Sequence, residues 1–370
     1  MHPKWEILYI YSMSRAVFSN LKVIELSSVL AGPAVGMFFA ELGAKVIKVE
    51  NLITGGDVTR TWKLPTEDKD KNISAYYHSI NWNKQSLFKN LKDPQDKKEV
   101  YDLIATADIV ISNFRPAPAK KLGFDYESLK AINPTLIFGL ITAYGEEDER
   151  PGFDALIQAE TGWMHMNGSK DGPPIKMPVA LMDIIAAHHL KEGILVALIQ
   201  KLKNKIGAKV SVSLYDAAVA SLANQASNWL NLNHNPQRKG SLHPNIAPYG
   251  EIITTKEGIP LLLAIGNQKQ FENLCKILGC PEVLNDSRFR DNTQRVTNRI
   301  ALLTLLQASA DSMSAKDIIA QANKFSVPLG PINDLKTVFA DSKAQALILE
   351  NLEADGNTSK RVKTAVFKIS

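Results

Sequence analysis

The amino-acid sequence predicts an α/β fold in which a parallel β-sheet forms a large domain and a smaller α+β domain follows it. Apolar strands alternate with helical stretches between residues 22 and 142. Glycine and proline lie at the turns between these elements, as expected for βαβ units with right-handed crossovers. The chain has 370 residues, of which 45% are hydrophobic, and this is enough to bury a core divided among two or three domains.

The first βαβ unit places helix 34–42 between strands 22–27 and 45–50. Glu50 ends the second strand at a distance from the turn glycine that is typical of a ribose-binding acid. However, the turn lacks the G-x-G-x-x-G pattern, and Pro33 removes a backbone N–H where a pyrophosphate would bind. The sequence therefore predicts a βαβ unit that does not bind NAD.

Two further strands are predicted at 108–112 and 135–142, each preceded by a predicted helix. In a parallel sheet the carboxyl ends of the strands lie at one edge, where ligands bind. The polar turns 113–116 and 143–146 follow these two strands directly. We therefore expect the residues of both turns to border a binding site, although Arg115 is equally compatible with a surface salt bridge.

One acidic residue, Asp183, interrupts the apolar stretch 177–189, where a long helix is predicted to begin and to continue to about residue 203. An aspartate ahead of a helical stretch is typical of an N-cap, and this interpretation is compatible with a catalytic carboxylate. The helix dipole and amide donors are expected to lower the pKa of such a carboxyl group and to keep it ionised. His188 and His189 follow on this helix. The sequence leaves two roles open for them: packing on the helix surface, or acting as a ligand or a base.

The remainder of the chain is predicted to complete the large domain and to form the smaller one. A loop rich in proline, asparagine and glycine at 233–248 separates the two. The elements expected around this loop are a helical region at 152–167, a strand at 210–214, an apolar helical stretch at 217–232, strands at 251–255 and 260–265, helices at 268–278, 297–308 and 315–323, and a last strand at 362–369.

Charge and cysteine content exclude several classes of protein. The formal charge of +5 is spread along the chain without a basic run, which argues against a nucleic-acid partner and favours an anionic small molecule. Cys275 and Cys280 have no His or Cys at ligand spacing, so we predict neither a metal site nor a disulfide framework, and we expect a cytoplasmic protein. No apolar run reaches the roughly 20 residues that span a bilayer, so no membrane association is predicted. Residues 1–12 lack a signal-peptide cleavage site, and we interpret them as a disordered extension.

A series of short motifs occurs in one order along most of the chain. The motifs are Leu30–Pro33, Leu42–Glu50, Gly56–Asp57 with Arg60, Asn113–Pro116, Leu122–Phe124, Pro151–Asp154, Asp183, His243–Tyr249, Arg288–Phe289 with Asn292 and Arg295, and Val327–Pro331. In this order they resemble the family III CoA-transferases, which include formyl-CoA and carnitine CoA-transferases and the related α-methylacyl-CoA racemase. The resemblance extends from about Leu21 to Phe339.

The resemblance implies a Rossmann-like large domain, a small domain joined to it by linkers, and a homodimer of two chains that pass through each other as interlocked rings. It places the large domain at 21–225 and the small domain at 226–335. Residues 336–370 are expected to return to the large domain, and residues 1–20 form the N-terminal extension. Because relatives continue beyond the position of Ser370, the return segment is expected to be truncated.

The resemblance also implies an enzyme that moves coenzyme A from an acyl-CoA to a small free carboxylic acid. Asp183 is expected to be acylated to a mixed anhydride and then converted to an aspartyl-CoA thioester, which the acceptor carboxylate resolves. Tyr144 and Glu146 are the other predicted catalytic residues, and no metal is expected. The predicted coenzyme A-binding residues are Leu30, Ala31, Gly32, Pro33, Lys48, Glu50, Arg60, Asn113, Phe114, Arg115 and Lys121.

Two other functions stay open at this point. The racemase branch of the family pairs its aspartate with a histidine that lies just before the aspartate of the Pro-Gly-His-Asp type motif, and the two groups move protons on opposite faces of the substrate. Phe153 occupies that histidine position here and cannot carry a proton, although His165 lies twelve residues further on and could substitute. The second alternative is a truncated protein that binds coenzyme A without turnover.

The sequence also departs from the family pattern. An arginine that often follows the Glu50 position to meet the coenzyme A phosphates is replaced by Asn51 and Leu52. The phosphates are therefore expected to bind the lysine and arginine residues of the predicted set. The loop 239–243 is not glycine-rich, which argues against formyl or oxalyl specificity.

Overall fold

The computed structural model describes residues 17–352, 356 and 358–369. These residues divide into two compact units, each with its own hydrophobic core. The first unit comprises residues up to Met164, Lys176–Asn235 and the segment from Ala346 onward, and the second comprises His165–Ile175 and Pro236–Gln345. The extension predicted for residues 1–12 lies outside the described residues. No helix in the described part of the chain is both long and apolar enough to cross a membrane.

The first unit is built around a parallel sheet. Its strands are β1 (Lys22–Leu26), β2 (Lys45–Asn51), β3 (Lys84–Lys89), β4 (Ile109–Ser112), β5 (Ile137–Thr142) and β6 (Ala208–Ser213). They are hydrogen-bonded in the order β3-β2-β1-β4-β5-β6, and all these pairings are parallel. The strand order reverses between β1 and β4, and the carboxyl ends of strands at such a reversal form a crevice in which ligands bind.

The sheet is buried on both faces. Val23, Ile109 and Ile137 belong to the core on one face, whereas Ile24 and Val110 belong to the core on the other. Successive side chains of a strand point to opposite faces, so a strand that is covered on both sides needs consecutive apolar residues. This is the physical reason for the uninterrupted apolar strands in the sequence.

Helices cover both faces of the sheet. The helices along this part of the chain are α1 (Ala31–Glu41), α2 (Ala75–His78), α3 (Pro94–Ile104), α4 (Pro116–Leu122), α5 (Tyr126–Ile132), α6 (Asp154–Glu160), α7 (Trp163–Met166), α8 (Leu181–Asn204), α9 (Leu214–Ala220) and α10 (Ala223–Leu232). α1, α8 and α9 contribute to the core on the face of Val23, and α3 and α5 contribute to the core on the opposite face.

α1 lies close to β1 because Gly36 has no side chain. A Cβ atom on Gly36 would lie only 1.9 Å from Glu25 Oε2. Glu25 is fully buried, and its two carboxylate oxygens each lie 2.8 Å from an ammonium nitrogen, one from Lys48 and one from Lys84. The glycine therefore leaves room for a buried ionic cluster between the helix and the sheet.

Two elements near the start of the sheet differ from the sequence-based prediction. α1 begins at Ala31 and not at residue 34, because Pro33 is accommodated in its first turn, where a missing N–H costs little. The strand β3 was not predicted at all. Its side chains are mostly half-buried at the edge of the sheet, so its sequence lacks the apolar run that marks the central strands.

The second unit contains a small antiparallel sheet and several helices. Its strands are β7 (Tyr249–Thr254), β8 (Pro260–Ala264) and β9 (Leu329–Pro331), and its helices are α11 (Gln268–Ile277), α12 (Asn292–Thr297), α13 (Arg299–Ala310), α14 (Ala315–Lys324), α15 (Leu335–Val338) and α16 (Ser342–Gln345). Cys275 and Cys280 are buried in its core as free thiols. Arg295 is buried as well and donates to the carbonyl of Ala247 at 2.9 Å, which holds the loop before β7.

The strand predicted at 362–369 is wrong. The structure instead pairs β10 (Ile348–Leu352) with β11 (Thr358–Val362) in an antiparallel hairpin. Beyond β11, the amides of Thr364 and Ala365 donate to the carboxylate of Glu41 at 2.8 and 2.7 Å. These amides are therefore committed to a side chain at the end of α1 and cannot extend a strand ladder.

Candidate active site

Two adjoining cavities open at the carboxyl edge of the parallel sheet. The first cavity has a volume of about 590 Å³ and is lined by residues at and after the ends of β1, β2 and β3. The second has a volume of about 600 Å³ and is lined by residues after β1, β4 and β5, together with Asp183; we call it the Asp183 cavity. The cavities share the residues Ser28, Val58, Phe114 and Leu122.

Asp183 is the third residue of α8 and is only 8% exposed. The helix begins at the Asp183 cavity and continues for 24 residues through the core. Within the described part of the chain, no hydrogen-bond donor reaches the Asp183 carboxyl oxygens. The side chain is therefore a nearly buried carboxyl group that borders a cavity and accepts no hydrogen bond from the described residues.

Asp154, and not Asp183, satisfies the N-terminus of α8. Its Oδ1 accepts the amide of Met182 at 2.6 Å and the amide of Asp183 at 3.4 Å, while Gln158 Nε2 donates to its Oδ2 at 2.5 Å. Burial, and then the negative charge of Asp154, raise the pKa of Asp183 to about 7. The prediction that Asp183 caps its own helix and has a lowered pKa is therefore wrong, because Asp154 takes the amide donors that would have stabilised its charge.

The turn Pro151–Asp154 forms one side of the Asp183 cavity. Phe153 lines the cavity and is 63% exposed. Gly152 brings the turn against the end of β5, since a Cβ atom on Gly152 would lie 2.6 Å from Ala143 Cβ. This close contact sets the position of Phe153 at the cavity and of the Asp154 cap.

Several of the predicted coenzyme A-binding residues come together around the Asp183 cavity. Those that line it with Asp183 are Leu30, Ala31, Asn113, Phe114 and Arg115. Asn113 accepts the amide of Ser28 with its Oδ1 at 3.1 Å and donates to the carbonyl of Ser28 with its Nδ2 at 2.8 Å. The asparagine after β4 thus holds the turn between β1 and α1.

Glu50 and Arg60 pair with each other beside the first cavity. Arg60 Nη2 lies 2.6 Å from Glu50 Oε1, and Arg60 Nε lies 2.7 Å from Glu50 Oε2. Burial alone would raise the pKa of Glu50, but hydrogen bonds from Arg60 and from the amide of Asp57 outweigh it and lower the pKa to about 2. The geometry favours a role in shaping the cavity wall over the phosphate contact that was predicted for Arg60.

Lys48 is also committed to partners inside the protein. Its Nζ lies 2.8 Å from Glu25, 3.0 Å from Asp57 and 2.6 Å from the carbonyl oxygen of Ser27, and the residue is fully buried. All three donors of the ammonium group are therefore used. This arrangement does not favour the predicted contact between Lys48 and a phosphate.

The remaining predicted residues fall into two groups. Gly32 and Pro33 are buried in the first turn of α1, where they support its contact with the sheet and do not line the Asp183 cavity. Lys121 is exposed in the last turn of α4, next to Leu122, which lines both cavities. Of the predicted cations, Lys121 and Arg115 are the exposed ones.

Tyr144 and Glu146, the two other predicted catalytic residues, are not among the lining residues of the Asp183 cavity. The ring of Tyr144 packs against the core and carries the guanidinium of Arg150 at 4.0 Å from its centroid. Glu146 forms an ion pair with Lys209 of β6. This placement favours a supporting role for Tyr144, through Arg150, and a surface ion pair for Glu146.

The sequence did not predict the contacts of Asp57 and Asp154 or the backbone conformation of Val29. Asp57 and Asp154 stand in the motifs Gly56–Asp57 and Pro151–Asp154, which were a signal in the sequence. The amides that they accept, those of Val29 and Met182, each lie 28 residues away along the chain and could not be predicted. Val29 adopts a φ of 72°, and no feature of a valine in sequence predicts a left-handed backbone.

Within residues 17–352, 356 and 358–369, no group of three or more His, Cys, Asp or Glu side chains is arranged to hold a metal ion.

Comparison with known proteins places this chain in a defined family. Residues 18–370 match the family model described as CoA-transferase family III. A succinate–glutarate CoA-transferase of Agrobacterium fabrum is 39% identical over 94% of this chain and 88% of its own length. The human succinyl-CoA:glutarate CoA-transferase is 35% identical over 90% of this chain and 75% of its own length. An acetyl-CoA:oxalate CoA-transferase of Acetobacter aceti is 33% identical over 86% of this chain and 81% of its own length.

Solved structures show the same fold. A CAIB/BAIF family protein from Brucella suis is 38% identical and superimposes with a TM-score of 0.84 over 95% of this chain and 92% of its own. The protein Rv3272 from M. tuberculosis is 28% identical, with a TM-score of 0.80 over 95% and 94% of the two chains.

Proposed function

Because the chain belongs to CoA-transferase family III and is therefore an enzyme of that class, we propose that it moves coenzyme A from an acyl-CoA to a free carboxylic acid with Asp183 as the nucleophile. The observation that carries this proposal is the position of Asp183. Its nearly buried carboxyl group, which accepts no hydrogen bond from any residue that the structure describes, borders a cavity of about 600 Å³ at the carboxyl edge of the sheet. The residues Leu30, Ala31 and Asn113–Arg115 meet at this cavity.

The proposed reaction proceeds by covalent exchange. The Asp183 carboxylate attacks the thioester carbonyl, the thiolate of coenzyme A leaves, and an acyl–aspartyl anhydride forms. The thiolate then attacks the aspartyl carbonyl, which releases the first acid as a carboxylate and leaves an aspartyl-CoA thioester. The acceptor carboxylate attacks this thioester to form a second anhydride, and the thiolate finally attacks its acyl carbonyl, which frees Asp183 and the new acyl-CoA.

The electrostatic environment of Asp183 suits both directions of this exchange. Burial and the neighbouring Asp154 charge destabilise the carboxylate, so the pKa near 7 leaves a reactive fraction ionised at neutral pH. Once the carboxylate becomes an anhydride or a thioester, its charge disappears and the repulsion from Asp154 disappears with it. The protein therefore favours the neutral acylated forms over a stable aspartate anion.

We place coenzyme A along the two adjoining cavities. The strand order β3-β2-β1-β4-β5-β6 supports a Rossmann-like description of the first unit, in which ligands bind at the reversal between β1 and β4. Three exposed cations beside the cavities are the candidates for phosphate contact, since Lys48 and Arg60 are paired internally and Arg150 is paired with Asp148. They are Lys92, which lines the first cavity, Arg115, which lines the Asp183 cavity, and Lys121.

We propose small dicarboxylic acids as the acid substrates. The relatives carry names that specify succinate, glutarate and oxalate. A second carboxylate needs a cation in the cavity, and Arg150 lines the Asp183 cavity with its guanidinium held over the Tyr144 ring and paired with Asp148 at 2.9 Å. This cation would orient the distal carboxylate while the near carboxylate attacks.

The interlocked homodimer and the cytoplasmic location belong to the same proposal. α8 and α10 carry exposed apolar side chains that suit burial against a second chain; these include Val196, Ile199 and Leu202 on α8 and Trp229 and Leu230 on α10. Light scattering of the purified protein tests the dimer, and a monomeric mass at working concentration would contradict it.

Trapping of the acylated enzyme tests the proposed function. We expect that incubation with succinyl-CoA and hydroxylamine leaves a hydroxamate on Asp183 that peptide mass spectrometry detects, and that the Asp183→Asn variant shows none. Repeated failure to trap Asp183 in protein that still binds coenzyme A would favour the alternative of binding without turnover. The epimerase alternative predicts deuterium at the α-carbon of a chiral acyl-CoA in D₂O without transfer, and Phe153 offers no proton for that reaction.

A further inference from the structure

Val29 has a strained backbone at the wall of the Asp183 cavity. Its φ is 72°, a left-handed conformation that is an outlier for a β-branched residue. Val29 and the following Leu30 both line the cavity together with Asp183. Strain of this kind persists only where surrounding groups enforce it, and it concentrates at functional sites.

The group that holds Val29 is the carboxylate of Asp57. Both of its oxygens lie 3.3 Å from the amide of Val29. The same carboxylate accepts the amide of Thr59 at 3.0 Å and its hydroxyl at 2.9 Å, and it pairs with Lys48 at 3.0 Å. Asp57 is only 5% exposed, so this contact is made in a buried environment where a charged hydrogen bond is strong.

The carboxylate is itself the end of a buried ionic chain. Lys48 connects Asp57 to Glu25, and Glu25 connects to Lys84, whose Nζ donates to the carbonyl of Pro33 in α1 at 2.8 Å. The side chains of these charged residues are at most 1% exposed. This series of ion pairs therefore connects the turn at Val29 to both the sheet and α1.

We propose that Asp57 is a positioning residue for the transfer reaction, which holds Val29 in its left-handed conformation and thereby sets the place of the Val29–Ala31 wall relative to Asp183. This inference rests on the proposed function. If Val29 relaxed to a negative φ, the peptide that follows it would turn, and Leu30 and Ala31 would leave their places at the cavity. The catalytic carboxyl would stay on α8 while the surface facing it moved.

A glycine at position 29 distinguishes this role from a general contribution to stability. Glycine adopts a positive φ without the steric penalty of valine, so it needs no carboxylate to enforce the turn. In Asp57→Asn the new amide nitrogen faces a donor in either orientation, Thr59 or Lys48, and displaces the acceptor from the Val29 amide. We therefore expect this variant to lower kcat/KM by roughly tenfold or more, since displacements of about 1 Å are enough to do so. We expect the double variant Asp57→Asn with Val29→Gly to recover most of that loss, although it still lacks the ion pair with Lys48.

Thr59→Val is the matched control. The substitution removes the hydrogen bond from the Thr59 hydroxyl to Asp57 Oδ1. It leaves the contact between the Asp57 carboxylate and the Val29 amide in place. We expect a lower melting temperature and an unchanged kcat/KM. A loss of activity in Thr59→Val equal to that in Asp57→Asn, or a folded double variant as inactive as Asp57→Asn alone, would overturn the proposal.

Val29→Pro reaches the same turn without changing the ionic chain, so it provides the test if Asp57→Asn does not fold. Proline removes the N–H that Asp57 accepts and restricts φ to about −65°. We expect this variant to fold with a lower melting temperature, because proline cannot adopt the native φ and the hydrogen bond to Asp57 is lost. We also expect it to lose at least roughly tenfold in kcat/KM, whereas unchanged activity would contradict the proposal. Absence of any transferase activity in the wild-type protein would instead contradict the proposed function itself.

Discussion

The carboxylate of Asp154 accepts the backbone amide of Asp183 while its charge opposes ionisation of the Asp183 side chain. One residue therefore stabilises the start of α8 and raises the pKa of the carboxyl group that this helix presents. The arrangement separates capping from catalysis, because the cap comes from α6 and the reactive group from α8.

The pH dependence of the reaction should follow the Asp183 carboxyl group. We expect kcat/KM to rise with pH through a pKa of about 7, because only the ionised carboxylate attacks the thioester. Asp154→Asn keeps an acceptor for the Met182 amide but removes the negative charge. The rise of kcat/KM with pH should therefore occur at lower pH in this variant. Glu146→Gln is the control, because Glu146 is paired with Lys209. This substitution should not change the pH at which kcat/KM rises. An unchanged profile in Asp154→Asn would show that its charge does not act on Asp183.

The stability of the protein should also depend on Asp183. Its folded-state pKa of about 7 lies above its ordinary value of 3.8, so ionisation favours the unfolded chain and stability is lost as pH rises from about 4 to 7. Asp183→Asn removes this penalty, and we expect it to increase the free energy of unfolding at pH 8 by up to roughly 4 kcal/mol. The gain should shrink towards zero near pH 4. Denaturant unfolding at several pH values measures it, and a variant less stable than the wild type at pH 8 would contradict the prediction.

Removal of Arg60 should destabilise the first unit strongly. Arg60→Met leaves the buried Glu50 carboxylate without its bidentate partner, which we expect to cost roughly 3–5 kcal/mol at pH 7. The lowered pKa of Glu50, about 2, means that the pair stabilises the fold above the ordinary value of 4.5 and that this stabilisation is lost as pH falls towards 2. The difference in the free energy of unfolding between Arg60→Met and the wild type should therefore decrease as the pH falls. Arg288→Met breaks an exposed pair with Asp286 and should change stability little.

Gly36 should not tolerate even a methyl group. In Gly36→Ala the new Cβ atom would meet Glu25 Oε2 at 1.9 Å, so either α1 must move or the buried ion pairs of Glu25 must break. We expect the free energy of unfolding to fall by several kcal/mol, or the variant not to fold, because the core is overpacked or a buried charge loses its partner. Gly330→Ala is the control, because nothing lies within 4 Å of its Cβ position. Equal melting temperatures for the two variants would contradict the close packing of α1.

Much of the fold is readable in the sequence because it depends on local patterns. The apolar strands β1, β2, β4 and β5 were predicted from runs that only a sheet covered on both faces requires. The edge strand β3 was missed because half-buried positions leave a mixed sequence. The C-terminal strand was misplaced because the Thr364 amide is satisfied by Glu41, a partner more than three hundred residues away in sequence.

The sequence by itself determined the fold class, the family resemblance and the choice of Asp183, since each depends on residue types in order along the chain. Only the tertiary structure decided the electrostatics of the site. Asp154 and Asp57 act on Asp183 and Val29 through contacts between separate elements, and Lys48 and Arg60 are neutralised by carboxylates that packing brings beside them. Burial and proximity set the energy of a charge, and neither is encoded in the spacing of residues along the chain.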